Sequence, residues 1–422
     1  DKVFAVCMGK TVALFNLGKK SLEEGMNILG AHLDSPRLDV KQNPLYENEE
    51  LAYLDTHYYG GIKKYQWVTL PLAIHGVVVK TDGTKVNVVI GEDETDPVFC
   101  VTDILIHLAQ DQMVKKASVA VEGENLDLLI ASRPFVIKKD DTKSDAKDSK
   151  TSKDAKTSKT SKNGKKGSET DLVKKQVLDI LSTKYDIKEE DFMSAELEIV
   201  PAGKPRDMGI DRSMILAYGQ DDKVCAYTSL IAQLNVKNPN RTSCTLLVDK
   251  EEIGSVGATG MQSRFFENSV AEILELAGYN SGLSLRRCLA NSHMLSSDVS
   301  AAYDPLYADA FEKKNAAYFG RGIVFNKYTG SRGKSGSNDA NAEFMGTIRR
   351  IMADNNVSYQ TAELGKVDEG GGGTIAYILS LYGMEVIDSG VAVLSMHSPW
   401  EITSKADIYE ARKCYLAFLK DA

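Results

Sequence analysis

The chain has 422 residues, 43% of them hydrophobic and 26% charged, with a formal net charge of −8 at pH 7. That length admits two domains, and the balance is that of a soluble globular protein. The negative charge argues against a general nucleic-acid binder, and no apolar run reaches membrane-spanning length.

No signal peptide is visible, although the sequence begins at Asp1 rather than Met and further residues are expected before it. Residues 3–17 alternate as a strand or hairpin. NILGA is a short strand that delivers His32 and Asp34 at its end. The His-x-Asp spacing puts both side chains on one face of an extended chain. A histidine that gives its second nitrogen to a carboxylate is a common support at a metal; a histidine in the turn before Ser35-Pro36 is the competing reading. Residues 52–70 are aromatic-rich around Gly60-Gly61, as a hairpin or a loop covering a cleft.

From residue 72 two alternating strands flank Asp82-Gly83, a hairpin signature. VTDILIHLAQDQMVKKA reads as a short amphipathic helix carrying His107. Residues 138–170 are Lys, Ser, Thr and Asp with almost nothing apolar to bury, so disorder is expected. DLVKKQVLDILSTKY is then a helix and AELEIVPAG a strand. Residues 74–211 therefore read as a β-rich insertion, and residues 1–73 and 212–422 as one discontinuous domain.

After the insertion the α/β pattern returns. GQDD precedes a helix, TSCTLLVDKEE is a strand ending at Glu251 and Glu252, and FFENSVAEILELA is a helix. A strand-like run reaches Asp298, VAVLSMHSPWE reaches His397, and IYEARKCYLAFLKDA closes as a helix. This alternation predicts an α/β fold with a mixed, largely parallel sheet flanked by helices.

His32 with Asp34, Asp221 with Asp222, Glu251 with Glu252, Asp298 and His397 all fall at strand ends or in the turns after them, where ligands bind in open α/β sheets. Glu251 and Glu252 alone would read as a solvated pair at a loop start. Together the set is a hard-to-borderline donor group suited to zinc, manganese or cobalt, and one bridging carboxylate would let it hold two ions. The six cysteines, Cys7, Cys100, Cys225, Cys244, Cys288 and Cys414, form no CxxC pair. They are read as reduced thiols in a cytoplasmic protein, not as a zinc site.

GAHLDSPRLD, GQDDKVCAY, DKEEIGSVGATG, SSDVSAAYDP and SMHSPWE, in this order, resemble the aspartyl aminopeptidase and vacuolar aminopeptidase I family of zinc aminopeptidases. The resemblance implies a catalytic α/β domain and a smaller β domain used for assembly. It implies that His32 binds one metal with Asp34 orienting its ring, and that Asp221 bridges two metals through a residue followed by a cis peptide. Glu252, Asp298 and His397 complete the ligands, and Glu251 is the general base. It also implies that His107 reaches a neighbouring subunit's site, that dimers build a dodecamer, and that GKVDEGGGGTIA lies near the substrate pocket. Peptides with a free N-terminus are the expected substrates, with neutral or apolar first residues favoured and acidic ones left open through Lys334 and Lys366. The Gly370–Gly373 run is not GxGxxG, which argues against a dinucleotide site.

Two other readings compete. One is a di-metal deacylase or carboxypeptidase on the same scaffold. The other is a non-catalytic assembly protein, which predicts a broken constellation.

Overall fold

The computed structural model describes residues 1–132 and 171–422. The expected disordered stretch at 138–170 lies outside the described residues. The chain opens with the hairpin β1 (Lys2–Cys7) and β2 (Thr11–Asn16), then β3 (Met26–His32). Next come β4 (Arg37–Asn48), β5 (Leu51–Tyr59), β6 (Leu72–Val79) and β7 (Lys85–Ile90). The one-turn helices α1 (Gln110–Met113) and α2 (Ala117–Ala120) lead to β8 (Leu128–Ser132). Beyond the undescribed stretch lie α3 (Leu172–Tyr185) and β9 (Ala195–Pro201).

The second half runs β10 (Arg206–Met208), β11 (Met214–Ala217), α4 (Gln220–Asn235) and β12 (Thr242–Val248). Helices α5 (Phe265–Leu276) and α6 (Gly282–Ala290) precede β13 (His293–Ser296) and β14 (Ser300–Ala301). Then follow β15 (Ile323–Asn326), α7 (Ala342–Asp354), β16 (Tyr359–Thr361) and α8 (Ala376–Ser380). The chain ends through β17 (Glu385–Gly390), β18 (Ala392–Leu394), β19 (Glu401–Ser404) and α9 (Lys405–Asp421).

The described strands form three sheets. The eight-stranded one has the order β1-β2-β12-β3-β13-β17-β15-β16, and its central neighbours β12, β3, β13 and β17 are parallel. Every residue of β3 and β12 is buried, as a parallel strand covered on both faces requires. Adjacent residues divide between the two faces. Ile28 packs with α5 and α6 side chains such as Phe266 and Leu289. Leu29 packs on the other side with Phe344 and Ile348 of α7 and Phe418 of α9. Truncating Ile28 or Leu29 to Ala would cost about 2–5 kcal/mol.

The six-stranded sheet, β7-β6-β9-β4-β5-β8, is antiparallel throughout and has its own core around Trp67, Leu72, Leu128 and Ile199. Here the structure differs from the expected division at residues 74 and 211. β4 and β5 belong to this sheet, because Leu38 pairs with Ile199 of β9. Along the chain β9 is the last strand of this sheet, while β10 and β11 pair with β19 in the five-stranded sheet β10-β11-β19-β18-β14. A local alternating pattern predicts a strand but not which sheet it joins.

The expected helix around His107 is also different. Ile106–Leu108 is a 3-10 turn and α1 only one turn. Ile104, Leu105, Ile106, Leu108, Met113 and Val114 are exposed, so the apolar stripe finds nothing within the described residues to pack against. A helix this short draws its stability from such packing.

Candidate metal centre

Because β12, β3 and β13 are parallel neighbours, their carboxyl ends line up. β3 ends at His32, β12 leads into a 3-10 turn carrying Glu251 and Glu252, and Asp298 follows β13. Asp221 comes from the first turn of α4 at non-helical φ −76°, ψ 110°, and its peptide bond to Asp222 is cis. His397 sits in the turn between β18 and β19 at φ 63°.

Asp221 joins the two histidines. Its Oδ1 lies 3.1 Å from His32 Nε2 and its Oδ2 lies 3.2 Å from His397 Nε2. On the His32 side, Glu251 Oε2 and Asp298 Oδ1 are each 3.9 Å from Nε2. On the other side, Glu252 Oε2 is 3.7 Å from His397 Nε2. Two sets of donor atoms, from His32, Glu251 and Asp298 and from His32, Asp221 and Glu252, lie within 4.8 Å of one another.

The supporting hydrogen bonds fix the rings. His32 Nδ1 faces the backbone carbonyl of Asp34 at 3.0 Å, and His397 Nδ1 faces that of Gly61 at 2.9 Å. A carbonyl accepts only, so each Nδ1 carries a proton, and each Nε2 faces the site, where it donates to Asp221 when protonated and is the atom left to bind a cation once that proton is lost. The Asp34 carboxylate is farther from His32 Nδ1, at 3.4 Å. It mainly accepts the backbone N–H groups of Glu251 and Glu252, both at 3.1 Å, and the Tyr59 hydroxyl at 2.8 Å.

These residues fit a bound cation. Burial pushes the Glu251 carboxyl up to about 7 and that of Glu252 up to about 8, and neighbouring carboxylates add to the effect. Burial also raises Asp298 well above the usual carboxylate range. Burial opposes ionisation of Asp221, yet hydrogen bonds from His32 and His397 overcome it and hold the carboxyl low. Glu252 Oε1 is buried with no hydrogen-bond partner among the described residues. Carboxylates this crowded ionise together only when a cation offsets them.

The structure thus brings together His32, Asp34, Asp221, Glu251, Glu252, Asp298 and His397. His107 is exposed on its 3-10 turn and is not among the residues lining the adjoining cavity. That cavity, of about 610 Å³, reaches from the centre to Gly371–Gly373 of the glycine run. Sequence reasoning missed the carbonyl of Gly61 and the carboxylate of Glu401. Gly61 was visible only as part of a turn, and Glu401 only as the last letter of SMHSPWE.

An open α/β sheet with histidines and carboxylates gathered at its strand ends is the setting of a metal-dependent hydrolase. The family described as aminopeptidase I zinc metalloprotease (M18) matches residues 1–419. A probable M18 family aminopeptidase 1 of Clostridium acetobutylicum is 61% identical over 421 residues, covering 100% of this chain and 84% of the relative. The crystal structure of the M18-family aminopeptidase of Thermotoga maritima superposes with a TM-score of 0.90 at 44% identity, covering 100% of this chain and 86% of that one. The mApe1 dodecamer of S. cerevisiae shares the fold at 20% identity and a TM-score of 0.72, covering 99% and 84%. The chain belongs to the M18 aminopeptidase I zinc metalloprotease family; it is a zinc aminopeptidase.

Proposed function

We propose that the protein removes the first residue from unblocked peptides through a two-zinc centre, with neutral side chains preferred at that residue. The sharing of the two Asp221 oxygens between His32 and His397 carries this reading. His32 and Asp298 would hold one ion, His397 and Glu252 the other, and Asp221 both. When bound, such ions polarise the scissile carbonyl and ease deprotonation of the attacking water.

Glu251 then acts as the base. It takes the water's proton at its carboxylate and hands it to the departing amine. Asp34 sets the turn that presents Glu251 and Glu252, through its hydrogen bonds to both backbones. The anionic rim of the site suits the substrate's free α-ammonium group.

The cavity walls support neutral first residues. Val299, Leu364, Tyr377 and Met396 line it, and no Lys or Arg among the described residues does so. Lys334 and Lys366 line a neighbouring cavity instead. Lys334 donates to Asp339 at 2.9 Å and lies over the Tyr328 ring at 4.0 Å, so its charge is already engaged.

The exposed apolar segment around His107 is read as an assembly surface, with His107 reaching a neighbouring copy to stabilise the developing oxyanion. Dimers building a dodecamer, as in the yeast relative, are the proposed assembly. Six free thiols, four of them buried, suit a reducing cytoplasm. No described helix is long and apolar enough to cross a membrane.

The metal and substrate readings are tested together by removal and return of zinc, assayed over a panel of aminoacyl substrates. Activity should vanish and return, with leucyl and alanyl substrates exceeding aspartyl and N-acylated ones inert. His107→Ala should lower kcat at unchanged zinc content. Activity that survives chelation, or a preference for aspartyl substrates, would refute the corresponding part.

A further inference from the structure

A buried carboxylate outside the proposed donor set stands directly behind it. Glu401, the first residue of β19, is 1% exposed. Its Oε2 accepts the backbone N–H of Asp221 at 3.0 Å, and its Oε1 accepts that of His397 at 2.8 Å. Neither N–H lies in regular structure: Asp221 is non-helical where the chain enters α4, and His397 is left-handed in its turn. Buried backbone donors must find acceptors, and here a single side chain serves two. The same two residues meet through their side chains.

The position of Glu401 is itself fixed. It pairs with Ala217 of β11, just ahead of Asp221. Gln220 Nε2 donates to its backbone carbonyl at 2.7 Å, and Thr403 Oγ1 donates to Gln220 Oε1. His32 is anchored elsewhere, its backbone N–H donating to Asp222 at 3.2 Å.

Resting on the two-zinc reading above, we propose that Glu401 is a positioning residue. Its carboxylate fixes the spacing between Asp221 and His397 and so sets how tightly the Asp221, Glu252 and His397 side of the centre holds its ion. The role demands a carboxylate of this length. Ionised, it offers two accepting oxygens, whereas glutamine offers one oxygen and an NH2 group that would face an N–H. Aspartate keeps the charge but is one methylene too short to serve both donors.

The test compares the zinc-loaded parent with Glu401→Gln, Glu401→Asp and Ile402→Val. Zinc per subunit is measured after dialysis against a weak chelator, alongside circular dichroism, kcat and KM. Glu401→Gln should keep the native dichroism, retain about one zinc where the parent retains two, and need roughly 10–100-fold more free zinc to recover its second ion. Its kcat at limiting zinc should fall with KM little changed, and added zinc should restore it. Glu401→Asp should lie between. Ile402→Val, which trims the same strand on its opposite face without touching the carboxylate or the Gln220 contacts that hold it, should bind zinc as the parent does.

Parental zinc affinity in Glu401→Gln would overturn the proposal, as would equal zinc loss in Ile402→Val. Should Glu401→Gln not fold, Glu401→Asp decides: a weakened second zinc upholds the role and parental affinity overturns it. A parent that binds no zinc and cleaves no aminoacyl substrate would instead sink the functional reading itself.

Discussion

Glu251 and Glu252 are neighbours in sequence with different surroundings. Both hang from the Asp34 carboxylate through their backbone N–H groups. Their side chains then diverge, Glu251 toward His32 and Glu252 toward His397. Under the proposed roles the two are not interchangeable. Glu251→Gln should keep both zinc ions and lose about 10²–10⁴-fold in kcat, the usual weight of a general base. Glu252→Gln should lose activity through one zinc, and excess zinc should recover part of it. Metal analysis beside kcat separates the two, and equal zinc loss in both variants would mean the roles are confused. Glu401 was not legible at this scale, because its partners are backbone N–H groups that leave no mark in the residue alphabet.

Among elements, the central strands were readable and their wider partnerships were not. Apolar runs ending in His32, Glu251 or Asp298 announce buried strands with chemistry at their tips, because burial on both faces demands continuous apolar sequence. The stretch of β4 carries no strand reading and that of β5 only a hairpin or covering loop, because their place in the six-stranded sheet depends on β9, far along the chain. The backbone at Asp298, just beyond β13, shows how closely the elements are fitted. A Cβ on Gly390 of β17 would lie 1.8 Å from the carbonyl oxygen of Asp298. That obstacle is backbone and cannot swing aside. Gly390→Ala should therefore cost about 1–3 kcal/mol in overpacking and push Asp298 from its place. Urea unfolding with and without zinc should show zinc stabilising the variant less than the parent; an equal zinc effect would show that Asp298 had not moved.

At the scale of the whole molecule, stability should fall on the acid side partly through one histidine. His293 of β13 packs against the Phe344 ring at 5.5 Å, and its Nδ1 has no hydrogen-bond partner among the described residues. Burial, helped by the Arg241 charge, holds its pKa down to about 4. The folded state thus favours the neutral ring, so its contribution is complete above the unfolded value of about 6.5 and is lost as pH falls toward 4. His293→Leu should flatten the drop in the zinc-loaded protein's urea midpoint between pH 6.5 and 4.5. A drop as steep as the parent's would assign the acid sensitivity elsewhere.

The interleaving of the chain has a consequence for synthesis. His32 lies on the first strand to reach the centre, whereas His397 and Glu401 come after every other residue of the site. The six-stranded sheet can form its own core while the ribosome is still translating the second half. Under the proposed roles, the hydrolytic centre stays unfinished until the β18–β19 turn has been translated and folded against Asp221. Under those roles, a chain still in synthesis carries no complete peptidase centre.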